Sequence, residues 1–196
     1  MCPTSTAADN LKTEGRKNIH IVGNTVLDNL SNVEILDTNK VIVTLHRREK
    51  HDKIEEWFKS VNQLALDNST LHFILPIHPN PAVREYSYLL TDVEVIEPLK
   101  HSDFIKELAS CKYIITDSGG VQEEAAFLKK PCVVCRDYTE RTEGLGTFSL
   151  LCRESIDLQK SLEWASTTTL EDEVCPYGDG KAAEYICEIL ADQIKV

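Results

Sequence analysis

Short runs of β-branched and aliphatic residues alternate along the chain with stretches whose apolar positions recur every three or four residues. The runs fall at residues 19–22, 41–45, 71–77, 93–96, 113–116, 132–135 and 148–152. Several lack polar alternation, as strands buried on both faces do. Between them Ile54, Trp57, Phe58, Val61 and Leu64 follow the i, i+3, i+4, i+7 rule of a helix with one apolar face, as do Phe104, Ile105, Leu108 and Ala109. Pro81 is placed to open a helix carrying Val83, Tyr86 and Leu90, since proline is tolerated in a first turn. A last helix is predicted over residues 181–194, after the turn Pro176-Tyr-Gly-Asp-Gly180. Strands alternating with helices predict an α/β fold, a doubly wound parallel sheet with right-handed crossovers, built as one domain over residues 1–196. In such sheets ligands sit beyond the carboxyl ends of the strands, so the loops there are where chemistry is expected.

Charge narrows the partners. The chain has 21 Lys and Arg against 32 Asp and Glu, a net charge of −11. That balance argues against nucleic acid and anionic membranes, which need a clustered positive surface. An anionic small molecule would have to be held by a few local cations or by backbone dipoles. No apolar run approaches the ~20 residues that span a bilayer, and the first ten residues carry neither a basic flank nor an apolar core, so no signal peptide is expected. Seven cysteines without framework spacing suit a reducing compartment, and the cytoplasm is the expected location. Cys132 and Cys135 have the spacing of a redox or metal pair. They lie in a predicted buried strand, however, where positions three apart face opposite ways, and no second pair completes a zinc site. They read as small buried hydrophobes, and no metal is expected.

Four loops concentrate polar residues at predicted strand ends. The first is Thr116-Asp-Ser-Gly-Gly-Val-Gln-Glu-Glu-Ala125. Gly119 and Gly120 place no Cβ between the amides and a ligand, and a helix starting here aims free N–H groups and its positive dipole end at the gap. Ser118 adds a hydroxyl. Glu123 and Glu124 are expected in the first turn, where a carboxylate can accept from both hydroxyls of a ribose. The same residues also suit a plain helix entry with dipole-complementing glutamates. The Gly-Lys-Ser/Thr ending of a P-loop is missing. The second loop, Thr44-Leu-His-Arg-Arg-Glu-Lys50, gathers His46, Arg47 and Arg48, donors suited to a diphosphate, although such a run can equally be a self-paired solvated loop. The third interleaves His78 and Asn80 with Pro79 and Pro81, with Arg84 one turn further on. The fourth, residues 136–144, places Arg141 among carboxylates. Together they predict one lined crevice.

The segments His46-Arg-Arg-Glu49, Asn80-Pro-Ala-Val-Arg-Glu85, Asp117-Ser-Gly-Gly-Val-Gln-Glu-Glu-Ala125, Thr139-Glu-Arg141 and Pro176-Tyr-Gly-Asp-Gly-Lys181, with Gly23-Asn-Thr-Val-Leu-Asp28, stand in an order that resembles the non-hydrolysing UDP-N-acetylglucosamine 2-epimerases. The resemblance runs from about residue 3 to the C-terminus. It implies a Rossmann-like domain, the C-terminal half of a glycosyltransferase-B architecture whose N-terminal half is absent from this chain. It also implies site roles. Ser118, Gly119 and Gly120 would hold the diphosphate, Glu124 the ribose, Phe104 the uracil face with Leu99 close by, and Arg141 the UDP. His46 would sit beside the reacting sugar and departing phosphate. Arg47 and His78 resemble residues that hold a second, activating UDP-GlcNAc in bacterial members. Phe104 also belongs to its helix's apolar stripe, which suits core packing as well. After Thr139-Glu-Arg141 this sequence is shorter than the family's usual run.

The implied reaction eliminates UDP from C1 as the C2 proton leaves, then re-adds UDP with protonation from the opposite face. It requires no redox cofactor. The carboxylate acid and base of the family belong to the absent half, so this chain is expected to bind UDP without turnover. A homodimer is left open for a longer protein, since the family's dimer contacts lie largely in that half. A hydrolysing relative, a UDP-sugar glycosyltransferase domain and a non-catalytic nucleotide-binding module are the alternatives.

Overall fold

A computed structural model describes residues 1–46 and 53–194. Six strands form one parallel sheet: β1 Lys40–Thr44, β2 His72–Pro76, β3 Glu94–Ile96, β4 Tyr113–Thr116, β5 Cys132–Val134 and β6 Ser149–Leu151, in the spatial order β3-β2-β1-β4-β5-β6. That is the Rossmann order, and it reverses direction between β1 and β4. Thr44 is in register with Thr116 there, so the two strands end side by side at the switch point.

The helices cover both faces of this sheet. Helix α1 spans Ser5–Thr13, α2 Ile54–Asp67, α3 Pro81–Arg84, α4 His101–Ser110, α5 Gly119–Phe127, α6 Leu158–Thr167 and α7 Ala182–Ile194. On one face Trp57, Phe58 and Val61 of α2 and Leu158, Leu162 and Ala165 of α6 pack on Val41, Val43, Phe73, Leu75, Ile115 and Val133. On the other, Ile105, Leu108 and Ala109 of α4 and Val121, Ala125 and Ala126 of α5 pack on Ile42, Ile74, Ile114, Cys132 and Val134. Strand residues alternate between the two cores, which explains why several of these runs lack polar alternation. Cys132 and Cys135 fall in opposite cores, as strand geometry requires, and burial pushes both thiols up.

Two sequence expectations are corrected. The apolar run at residues 19–22 does not join the sheet; Ile21 makes a single bridge to Cys2 and stays 56% exposed. Its only ladder partner is one residue, because the chain turns into α1 directly afterwards. The helix expected through Leu90 stops after one turn as α3 and resumes as a 3-10 turn at Ser87–Leu89, although Val83 and Leu90 are buried. Helices α1 and α6 were not anticipated.

The final helix is tied to the start of the chain. Asn24 caps the 3-10 turn Thr25–Leu30, and the Asp28 carboxylate accepts from the Ala182 and Ala183 amides at 2.9 and 2.7 Å, capping α7. Gly178, at φ +127°, passes so close to Gly23 that a Cβ would lie 2.9 Å from the Gly23 Cα. Two of the quoted motifs, around Gly23–Asp28 and around Gly178, are therefore joined in building this corner. None of the described helices is long and apolar enough to cross a membrane.

Candidate functional site

The site grows from the switch point. Strand β4 ends in Thr116, whose hydroxyl lies 2.6 Å from that of Thr44 and accepts from the Ser118 amide at 3.0 Å. Helix α5 then starts at Gly119 with Ser118 as its extended N-cap residue. The Ser118 side chain makes no capping bond. The first amides of a helix have no acceptor within it, so those of Gly119, Gly120 and Val121 form a donor cluster at the positive end of the dipole. A Cβ on Gly120 would meet nothing within 4 Å. One on Gly119 would come 2.9 Å from Glu140 Oε1 and 3.3 Å from Arg141 Cζ. The glycines therefore differ: one faces open space and the other makes room for a neighbouring loop.

Glu123 and Glu124 lie in the second turn of α5, not the first, since the helix begins only at Gly119. Both are buried. Glu123 accepts from Asn24 Nδ2 at 2.6 Å and from Arg141 Nε at 2.7 Å. Glu124 faces His101 Nε2 at 3.4 Å. Burial raises its carboxyl above the ordinary glutamate range, and the facing His101 partly opposes that. Gln122 buttresses the turn, donating to the Ser118 carbonyl and accepting from the Thr139 hydroxyl at 2.8 Å.

Arg141 donates to Glu123 and, through Nη1, to Glu140 at 2.8 Å; Glu140 also takes a 2.7 Å bond from the buried Arg136. Thr139 Oγ1 accepts from the Arg141 amide, and the Tyr177 hydroxyl donates to the Arg141 carbonyl, both at 3.1 Å. Glu123, Glu140, Arg141 and Tyr177 line a polar cavity of about 220 Å³ with Thr4, Asn10 and Asn24.

A second cavity, about 170 Å³, opens across the ends of β1 and β2. Its walls are largely apolar (Leu45, Pro76, Ile77, Pro98, Leu99 and Phe104), with His46 and His78 among them. The two imidazoles stack with centroids 5.2 Å apart and planes 10° from parallel. Phe104 is half-buried, packing on the α4–α5 core while also lining this cavity. His46 reaches the α5 side through Asp117, whose carboxylate accepts from the His46 backbone amide at 2.7 Å and faces Nδ1 at 3.2 Å.

Of the residues expected at the site, His46, His78, Leu99 and Phe104 thus meet in one cavity, and Arg141 lines the other. Ser118, Gly119 and Gly120 open α5 and Glu124 lies in its second turn; these four line neither cavity. Arg47 lies outside the described residues. Sequence reasoning gave no role to Asp117, Asn24, Glu140 or Tyr177. Asp117 carried a signal, an acid directly after a short β-branched strand; Asn24 and Tyr177 are distant in sequence from what they hold, and Glu140 pairs with near neighbours in its own loop.

A glycine-opened helix N-terminus at the switch point of a parallel sheet, beside an apolar slot, defines the class of Rossmann-like domains that hold nucleotides. Within that class the family model described as UDP-N-acetylglucosamine 2-epimerase matches residues 1–191, and the chain belongs to that family. It is 34% identical to the UDP-N-acetylglucosamine 2-epimerase of Bacillus subtilis, over 96% of this chain and 56% of that enzyme. A crystal structure of a putative UDP-N-acetylglucosamine 2-epimerase from Listeria monocytogenes superposes with a TM-score of 0.86 at 32% identity, covering 98% of this chain and 59% of that one. The Neisseria meningitidis enzyme, solved bound to UDP-GlcNAc, gives 0.82 at 30%, covering 97% and 60%. The chain therefore spans 56–60% of the length of these relatives.

Proposed function

We propose that this chain is the nucleotide-binding half of a UDP-N-acetylglucosamine 2-epimerase, and that residues 1–196 act as one domain, the C-terminal partner in a two-domain enzyme. The diphosphate takes the amides of Gly119 and Gly120 and the Ser118 hydroxyl. Glu124 accepts from the ribose hydroxyls. The uracil lies in the apolar slot against Phe104, with Leu99 beside it. Arg141 reaches the same UDP by exchanging part of its pairing with Glu140. His46 stands at the sugar end, and His78, with Arg47, serves a second nucleotide sugar.

In the reaction the C2–H bond breaks, its electron pair forms the C1–C2 double bond, and the C1–O bond to UDP breaks with that pair leaving on the β-phosphate. UDP and 2-acetamidoglucal result. Re-addition of UDP at C1 with protonation of C2 from the other face gives the epimer. The negative charge that develops on the β-phosphate falls on the α5 amides, preorganised donors that need not reorient as it grows, and on the His46 ring. The C2 acid and base are carboxylates from the part of the enzyme this chain does not span, so the chain alone binds UDP without turnover. A cytoplasmic location belongs to this proposal, supported by seven free cysteines.

One observation carries the reading: an uncapped, glycine-opened helix start at the switch point, joined to an imidazole through one buried carboxylate. Calorimetric titration with UDP tests it on the native chain and on Ser118→Ala combined with Glu124→Ala. A loss of at least about tenfold in affinity is expected from removing two polar contacts. Equal affinities would overturn the site. Mass analysis of products from the purified chain tests the absence of turnover.

A further inference from the structure

We propose that Asp117 is a positioning residue: its carboxylate holds the His46 ring with the proton on Nδ1, so that Nε2 is the atom offered to the diphosphate. The role of Nε2 rests on the α5 start being the diphosphate site; the hold on Nδ1 does not.

Asp117 is 1% exposed and is the first residue after β4. Its own amide donates to the Thr44 carbonyl at 3.1 Å, pinning it to β1. One carboxylate oxygen, Oδ2, accepts the His46 amide at 2.7 Å, and the other, Oδ1, faces His46 Nδ1 at 3.2 Å. The Oδ1 contact is an ion-pair approach rather than an aligned hydrogen bond, and a carboxylate oxygen at that distance repels the lone pair of a bare ring nitrogen, which favours the hydrogen on Nδ1. The other ring nitrogen then becomes the acceptor of the neutral imidazole, or the second donor of the charged one. The face of the ring is set separately. His78 stacks on it nearly parallel, and His78 Nδ1 accepts the Asn80 amide at 3.1 Å, which fixes the stacking partner in turn. A half-rotation of the His46 ring would carry Nδ1 away from the buried Asp117 carboxylate and forfeit that attraction.

The position of Asp117 in the chain adds a second consequence. It directly precedes Ser118, Gly119 and Gly120, so one side chain and the next three residues of the same turn address the imidazole and the anion respectively. The distance between the two is thereby set by the covalent chain rather than by loop packing. The same division of labour, a buried carboxylate on Nδ1 and a working Nε2, recurs wherever a histidine must present one defined tautomer.

Long-range nitrogen NMR of the imidazoles in the 196-residue chain tests this, with His46 assigned from the spectrum of His46→Gln. The wild type is expected to show a pyrrole-like Nδ1 and a pyridine-like Nε2 in the neutral ring. Asp117→Asn is expected to lower the Nδ1–H to Nε2–H ratio by at least about tenfold and UDP affinity by about 3- to 10-fold, the range for one lost hydrogen bond. Ser118→Ala is expected to weaken UDP binding while leaving the His46 tautomer unchanged. A wild-type ring protonated on Nε2 would overturn the proposal even if Asp117→Asn did not fold, and so would an Asp117→Asn spectrum identical to wild type. Failure of the wild type to bind UDP would sink the diphosphate reading and the role of Nε2 with it, while the tautomer signal would still decide what Asp117 does.

Discussion

The cavity across β1 and β2 and the cavity beside α5 differ in what their polar groups already hold. In the first, about 170 Å³ of space is walled by Pro76, Ile77, Pro98, Leu99 and Phe104, with the stacked pair His46 and His78 among them. In the second, about 220 Å³, the charged groups are bonded to one another: Arg141 to Glu123 and Glu140, Glu140 to Arg136, Glu123 to Asn24. A base entering the first gains by leaving water for an apolar wall. An anion entering the second must compete with two carboxylates for Arg141, so the larger net gain comes from amides and a hydroxyl that no capping bond occupies. On the proposed reading, the uncapped start of α5 is where an anion gains most.

The largest effect should come from breaking the self-satisfied end. Glu123→Ala leaves Arg141 and Asn24 without their shared acceptor, and a loss of about 2–3 kcal/mol is expected, discounted because Arg141 is partly solvated. Thermal or urea unfolding measures it, and a change below about 0.5 kcal/mol would show that the network contributes no more than an exposed pair.

Next in size is a contrast between neighbouring glycines. Gly120→Ala places its methyl in open space, so the fold should hold or gain about 0.5–1 kcal/mol from helix propensity, while UDP affinity falls about tenfold as the methyl blocks close approach. Gly119→Ala should instead cost stability, because its Cβ must displace Glu140 Oε1 from 2.9 Å. Calorimetry and melting on both variants read the difference; identical behaviour would mean that the two glycines do the same job. At the apolar end, Phe104→Ala should weaken UDP binding about fivefold through lost base stacking. Unchanged affinity would assign Phe104 to the core alone.

The smallest effect is a pH dependence at Glu124. Burial raises its carboxyl, so the folded chain binds that proton more tightly than the unfolded chain. Stability then falls as pH rises from the ordinary glutamate range through the raised value, and Glu124→Gln removes that slope. The UDP affinity of the wild type should rise over the same window, because the ribose diol needs an ionised acceptor. Denaturation and UDP titration between about pH 4 and 8 check both signs, and parallel profiles for wild type and variant would rule out Glu124 as the source.

Much of the fold could be read because its periodicities are strong. Ile54, Trp57, Phe58, Val61 and Leu64 all reach the core from one face of α2, and the run Tyr113–Thr116 is wholly buried as a central strand. The run at residues 19–22 has a similar pattern and a different fate, because pattern specifies a preference for extension but not a partner to pair with. The placement of Glu123 and Glu124 depended on where α5 begins, and helix boundaries are the least determined part of such a reading. The loops of His46 and His78 were expected to share a crevice with that of Arg141, but His46, His78, Leu99 and Phe104 line one cavity and Arg141 another; how loops from different strand ends divide the space is not written in any one of them.

The sequence by itself determined the parallel α/β sheet, the buried thiols and the glycine turn after β4, because apolar run length, helical spacing and the absence of a Cβ are local properties of the chain. Only the tertiary structure decided that Glu123, rather than a nearby acid alone, holds Arg141, that Asn24 reaches it across 99 residues, and that Asp117 faces His46 across 71. Those pairings follow from which strands lie side by side at the switch point. That choice is made by burying both faces of the sheet at once, a condition on the whole chain that no single segment contains.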